Sequence, residues 1–96
     1  MNFLEETIDD LKDVNKFPKD VLFISDGKVY YFWQDFAINA NFEYDEGYGG
    51  VNIYSNLVIV GSDWWLERHE YDGAEWWEYK SLPIRPLFKG IPKLKE

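Results

Sequence analysis

An α+β fold, with one N-terminal helix packed on an antiparallel sheet of five or six strands in meander-like order, is predicted by three features of this chain. It opens with apolar residues at helical spacing. From Val21 the period changes to that of extended chain. Two Asp-Gly pairs, Asp26-Gly27 and Asp72-Gly73, each divide two apolar segments. Residues 1–96 are expected to form a single domain, with a helix over 2–14, the sheet over 21–81 and a Pro/Lys-rich tail over 82–96.

The helix is placed by Asn2, a residue suited to the N-cap, with Glu5 three positions on as its capping-box partner. Leu4, Ile8 and Leu11 share one helical face, and Glu5, Glu6, Asp9, Asp10 and Asp13 occupy the remainder. Acidic residues early and Lys12 late suit the helix dipole. Residues 15–20, with Pro18, read as a connection.

Residues 21–24 and 28–33 read as a hairpin. Asp26-Gly27 supplies the two positive-φ positions of a type I′ turn, which pairs Ile24 with Val29 and Leu22 with Tyr31. Because both of its faces are apolar, the hairpin is expected in the middle of the sheet. Phe36, Ile38, Ala40 and Phe42 recur at period 2 and predict a strand over 36–44. Residues 45–50 read as a glycine loop, 51–54 as a short strand and 57–60 as a buried strand ended by Gly61.

Residues 64–71 and 75–80 form a second hairpin. A two-residue turn would set Glu70 against Glu75 and Glu67 against Glu78, and like charges directly opposite are unfavourable, so a longer loop is expected. The tail has three prolines and four bases among Leu82, Ile84, Leu87, Phe88 and Ile91. It is expected to run extended over the sheet, with only its last residues loose.

Composition narrows the function. Aromatic residues make up 20% of the chain and the net charge is −8. Residues 1–79 hold 17 acids against 5 bases, whereas residues 80–96 carry a net +4. Such a field repels phosphate backbones and anionic lipid, so no direct nucleic acid and no membrane are expected, and a basic protein surface is. No cysteine is present, the first residues lack a signal-peptide pattern, and no apolar run reaches the roughly 20 residues of a membrane span. A soluble, cytoplasmic protein, monomer or homodimer, is expected.

No catalytic, cofactor-binding or metal-binding set emerges. His69 is the single histidine, and Ser62 and Ser81 have no motif around them. Glu67 is placed near His69 on one face with Glu78 opposite, which predicts a cross-strand polar pair rather than a catalytic dyad. Residues 43–47 offer oxygen ligands without the spacing of a calcium loop.

The doublets Trp64-Trp65 and Trp76-Trp77 can be read as an exposed aromatic platform or as an outer pair covered by the tail or a second layer. Successive strand residues point to opposite faces, so one Trp of each doublet faces away from the other's packing partner. The candidate partner-binding set is Asp45, Glu46, Asp63, Trp65, Glu67, Glu70, Asp72, Glu75, Trp76 and Glu78. Acids supply steering and specificity towards an Arg/Lys-rich partner, and aromatic rings supply affinity.

Phe17-Pro18, the Asp26-Gly27 turn and the segment 57–63 before a strand resemble in part the pattern of the SUKH immunity-protein family. The chain is shorter than that family's usual domain, its tryptophan doublets are not part of the pattern, and no residue role is carried over.

The expectation is an acidic protein-binding module. It would be an inhibitor occupying the nucleic-acid-binding surface of an enzyme by DNA mimicry, in the manner of phage or mobile-element anti-defence proteins of the anti-CRISPR or anti-restriction type. The alternatives are an immunity protein against a basic toxin, an aromatic-faced domain for sugars or other small ligands, and a small structural or assembly subunit.

Overall fold

A computed structural model describes residues 1–45 and 50–96. Helix α1 (Phe3–Asp13) is followed by a 3-10 turn (Pro18–Asp20), β1 (Phe23–Ser25), β2 (Tyr30–Tyr31), α2 (Trp33–Asn39), β3 (Val58–Val60), β4 (Trp64–Tyr71) and β5 (Ala74–Ser81). The strands make one antiparallel sheet in the order β2-β1-β3-β4-β5. Strands β3 to β5 form a meander. The first hairpin joins it through β1, which leaves β2 at one edge rather than in the middle.

Helix α1 begins at the expected N-cap, with Asn2 Oδ1 accepting the Glu5 N–H at 3.0 Å. Its buried stripe is Phe3, Glu6, Thr7 and Leu11, while Leu4 and Ile8 are only partly buried. The stripe is set by what the sheet offers. Phe3 stacks on Trp77 with ring centroids 5.6 Å apart, and the Trp77 indole N–H donates to Thr7 Oγ1 at 2.9 Å. Glu6 meets Arg68 at 3.3 Å. Ile24, Phe36, Ala40, Ile53, Ile59, Trp64 and Leu66 are also buried in the core.

The Arg68 guanidinium lies over the rings of Phe3, Tyr44 and Trp77, at 5.3, 5.9 and 4.9 Å from their centroids. It pairs with Glu6 and, at 3.7 Å, with Glu75. Tyr44 donates its hydroxyl proton to Glu6 and accepts from Arg68. Burial, with Glu6 as acceptor, raises the tyrosine's pKa well beyond its usual range.

Several expectations are corrected. The segment expected as a strand over 36–44 instead forms α2 and its exit. Trp33, Phe36 and Ala40 also stand at helical spacing and pack inward, whereas Ile38, counted as apolar at period 2, is 74% exposed. Residues 51–54 make no strand. The N–H groups of Asn52 and Ile53 donate to the two carboxylate oxygens of Glu75, each at 2.8 Å, which replaces a sheet ladder with a side-chain clamp.

Both hairpin registers differ from expectation. In the first, Ile24 pairs with Tyr31 and Ser25 with Tyr30, enclosing a four-residue loop. Asp26 Oδ1 accepts the N–H groups of Lys28 and Val29, and Ser25 Oγ accepts that of Gly27, so side chains close the loop without a type I′ turn. In the second, Asp72 and Gly73 take φ values of 52° and 88° and make a true two-residue turn. Glu67 therefore faces Glu78, and Glu70 faces Glu75. The opposition is tolerated because Glu75 is drawn inward to Arg68, and because His69 sits between Glu67 and Glu78.

Residues 82–96 have no regular structure and do not cover the sheet. Beyond Leu82, the tail's large apolar side chains are each at least 87% exposed. The radius of gyration is 16.1 Å, against about 12.5 Å for a compact chain of this length, because the tail projects away. The glycine loop expected over 45–50 falls largely on residues 46–49, which lie outside the described residues. Among the described residues, no helix is long and apolar enough to cross a membrane.

Candidate functional site

Helix α1 covers one side of the sheet, and nothing among the described residues covers the other. On that open side β4 presents Trp65, Glu67, His69 and Tyr71, and β5 presents Ala74, Trp76, Glu78 and Lys80. Alternation turns Trp64 and Trp77 into the core, at 2% and 6% exposed, and leaves Trp65 and Trp76 outside. The register carries the face across the remaining strands. One row runs Tyr30, Ser25, Val58, Glu67, Glu78, and the next runs Phe23, Val60, Trp65, Lys80.

A polar network occupies the middle of this face. The Trp65 indole N–H donates to Glu67 Oε1 at 2.7 Å. The other Glu67 oxygen lies 2.7 Å from His69 Nε2, and His69 Nδ1 lies 3.2 Å from Glu78. Lys80 reaches Glu78 at 3.4 Å. The His69 ring stacks on Trp76, centroids 6.2 Å apart and planes inclined by 23°. Glu67 has its pKa lowered, first by the Trp65 hydrogen bond and then by that with His69, so it holds its negative charge well into the acid range. Two half-exposed carboxylates are thus fixed in position, with an indole on either side of them.

Four of the candidate residues, Trp65, Glu67, Trp76 and Glu78, come together here. Glu70 and Asp72 stand exposed at the hairpin tip, and Asp63 is exposed at the opposite end, where its carbonyl accepts the Leu82 N–H at 2.8 Å. Asp45 belongs to the segment after α2, and its carbonyl accepts from the Asn52 side chain. Glu46 lies outside the described residues. Glu75 is corrected: it is 4% exposed and held by Arg68 and two backbone N–H groups, so it cannot meet a partner.

The face also contains residues outside the candidate set: Phe23, Tyr30, Val58, Val60, His69 and Lys80. For Phe23 and Tyr30 the signal was the two-sided apolar character of the first hairpin, which marks an uncovered face here rather than a central position. Among the described residues no group of three His, Asp or Glu side chains is placed to hold a metal ion. Compared with protein-family models, with curated proteins and with solved structures, the chain matches none.

Proposed function

We propose that this chain is a non-catalytic, acidic protein-binding module, an inhibitor by class, whose open sheet face engages a basic protein surface. The observation that carries this is the pairing of outward Trp65 and Trp76 with the fixed carboxylates of Glu67 and Glu78 on a side of the sheet that α1 leaves bare. Rigid aromatic anchors beside acids meet an Arg-rich surface through cation–π contact and charge-assisted hydrogen bonds. The excess of acids over bases in residues 1–79 adds long-range steering.

The partner proposed is a nucleic-acid-binding enzyme, in whose groove carboxylates stand for phosphates and indoles for bases. The experiment is capture of partners from a bacterial lysate at low salt, elution by a salt step, and a parallel capture with a Glu67→Gln/Glu70→Gln/Glu78→Gln variant. A nucleic-acid enzyme retained by the parent chain, lost with the variant and released near 0.5 M salt, where screening falls to roughly 4 Å, is the expected result. Equal retention by both chains contradicts the proposal. So does tryptophan fluorescence that responds to glycans independently of salt, which would favour a sugar platform.

A further inference from the structure

We infer that the open sheet face is occupied, in the free protein, by the C-terminal tail of a second copy of this chain, so that two copies exchange tails in a reciprocal dimer. The inference deepens the proposal above, since it uses the same face and assigns it a first occupant.

The tail has the chemistry that the face calls for. Residues 82–96 carry a net +3, against a net −11 for residues 1–81. Ile84, Leu87, Phe88, Ile91 and Leu94 are 91, 94, 90, 97 and 87% exposed, a density of bare apolar side chains that a free linker does not carry. Arg85, Lys89, Lys93 and Lys95 are interleaved with them. The face offers the complement, Phe23, Tyr30, Val58, Val60 and the two indoles around Glu67 and Glu78.

The dimensions agree. Residues 84–94 in extended form reach about 35 Å, enough to cross five strands spaced about 4.8 Å apart. Residues 84–96 expose on the order of 2,000 Å² as an extended chain, and laying one side down removes about half. That exceeds the roughly 800 Å² per partner of a standard interface, and reciprocal exchange doubles it.

The geometry favours a second copy over the chain's own face. Leu82 precedes Pro83 and Arg85 precedes Pro86, and a residue before proline is held extended. The tail projects from the sheet, giving a long axis of 50 Å against 32 and 27 Å.

Sedimentation velocity of the full chain over a wide concentration range, at low and high salt, tests the inference. The parent is expected to form a dimer that weakens with salt. Leu87→Ser/Phe88→Ser, at positions that pack on nothing, should weaken dimerisation by about tenfold or more. Glu67→Gln/Trp76→Ser/Glu78→Gln should do the same, and mixing the two variants should restore a dimer through one intact tail–face contact. A parent that is monomeric throughout overturns the inference, as does a dimer that the tail variant leaves unchanged. A monomer whose tryptophan emission shifts in the tail variant also overturns it, by showing docking within one chain.

A synthetic peptide of residues 82–96, titrated into the tail variant, separates the two proposals. Salt-sensitive binding of the peptide beside a monomeric parent defeats tail exchange and leaves the basic-partner face standing. A tail-dependent dimer that captures no basic partner from a lysate supports the exchange and defeats the outside partner.

Discussion

Glu67 and Glu78 stand directly opposite each other across the β4–β5 ladder, and the ring of His69 lies between their carboxylates, 2.7 Å from one and 3.2 Å from the other. Two like charges in such a position repel, and a cross-strand pair of this kind changes stability by about 0.2–1 kcal/mol. His69→Phe keeps a ring against Trp76 and removes both nitrogens. It is predicted to destabilise the protein by about 0.5–1 kcal/mol near neutral pH. Urea unfolding checks this, and adding Glu78→Gln to the variant should recover most of the loss.

The buried cation gives a larger prediction. Arg68 stands between Glu6 and Glu75, with side chains 2, 6 and 1% exposed, and three aromatic rings surround it. Arg68→Met leaves two buried acids without their cation and is predicted to cost about 3–5 kcal/mol, a large part of the stability of a domain this size. Urea midpoints measure it. A variant that also carries Glu6→Gln and Glu75→Gln should be more stable than Arg68→Met alone, because no buried charge is then left unpaired.

Gly61 is a packing constraint. A Cβ there would fall 2.0 Å from Trp64 Cε2 and 2.1 Å from its Nε1. Gly61→Ala must therefore displace a buried indole that stacks on Tyr79. A loss of about 1–3 kcal/mol is predicted, with a lower melting temperature and altered near-ultraviolet dichroism from Trp64.

Asp10 predicts the pH dependence. Burial first, then the charges of Glu6 and Asp13, raise its pKa from 3.8 to about 6. A carboxyl with a raised folded-state value costs stability when ionised. The penalty is absent below the ordinary Asp range, grows as pH rises towards 6, and is complete above it. Asp10→Asn is predicted to stabilise the protein near neutral pH by about 1 kcal/mol, once screening at a partly exposed site is allowed for, and to change little at low pH. Thermal melts of both proteins across this range check the sign.

The helix and the splitting of each tryptophan doublet between two faces were legible in the sequence for local reasons, whereas which tryptophan faces outward was not. Asn2 with Glu5 marked the start of α1, and alternation within Trp64-Trp65 and Trp76-Trp77 required that each doublet be split between core and surface. What was not legible depended on distant partners. Glu75 clamps Asn52 and Ile53 from more than 20 residues away, so residues 51–54 looked like a strand and the carboxylate looked available to a partner. The second hairpin's register rests on Arg68 beneath Glu75 and on His69 between Glu67 and Glu78, contacts that the opposed charges alone do not reveal. Helix α2 is hard to read because Phe36 and Ala40 satisfy both periods; the inward Trp33 and the exposed Ile38 separate them. The tail's apolar composition implied that it covers the sheet, whereas its large side chains beyond Leu82 stand exposed.

The most direct test of the central claim follows the indole N–H resonances of the five tryptophans while a captured basic partner is titrated in. Trp65 and Trp76 are predicted to shift at low salt and to return towards their free positions at about 0.5 M salt, with Trp64 and Trp77 little changed. Binding that moves Trp33, Trp64 or Trp77 and leaves Trp65 and Trp76 still would contradict the claim that the open face of β4 and β5 is where this protein meets its partner.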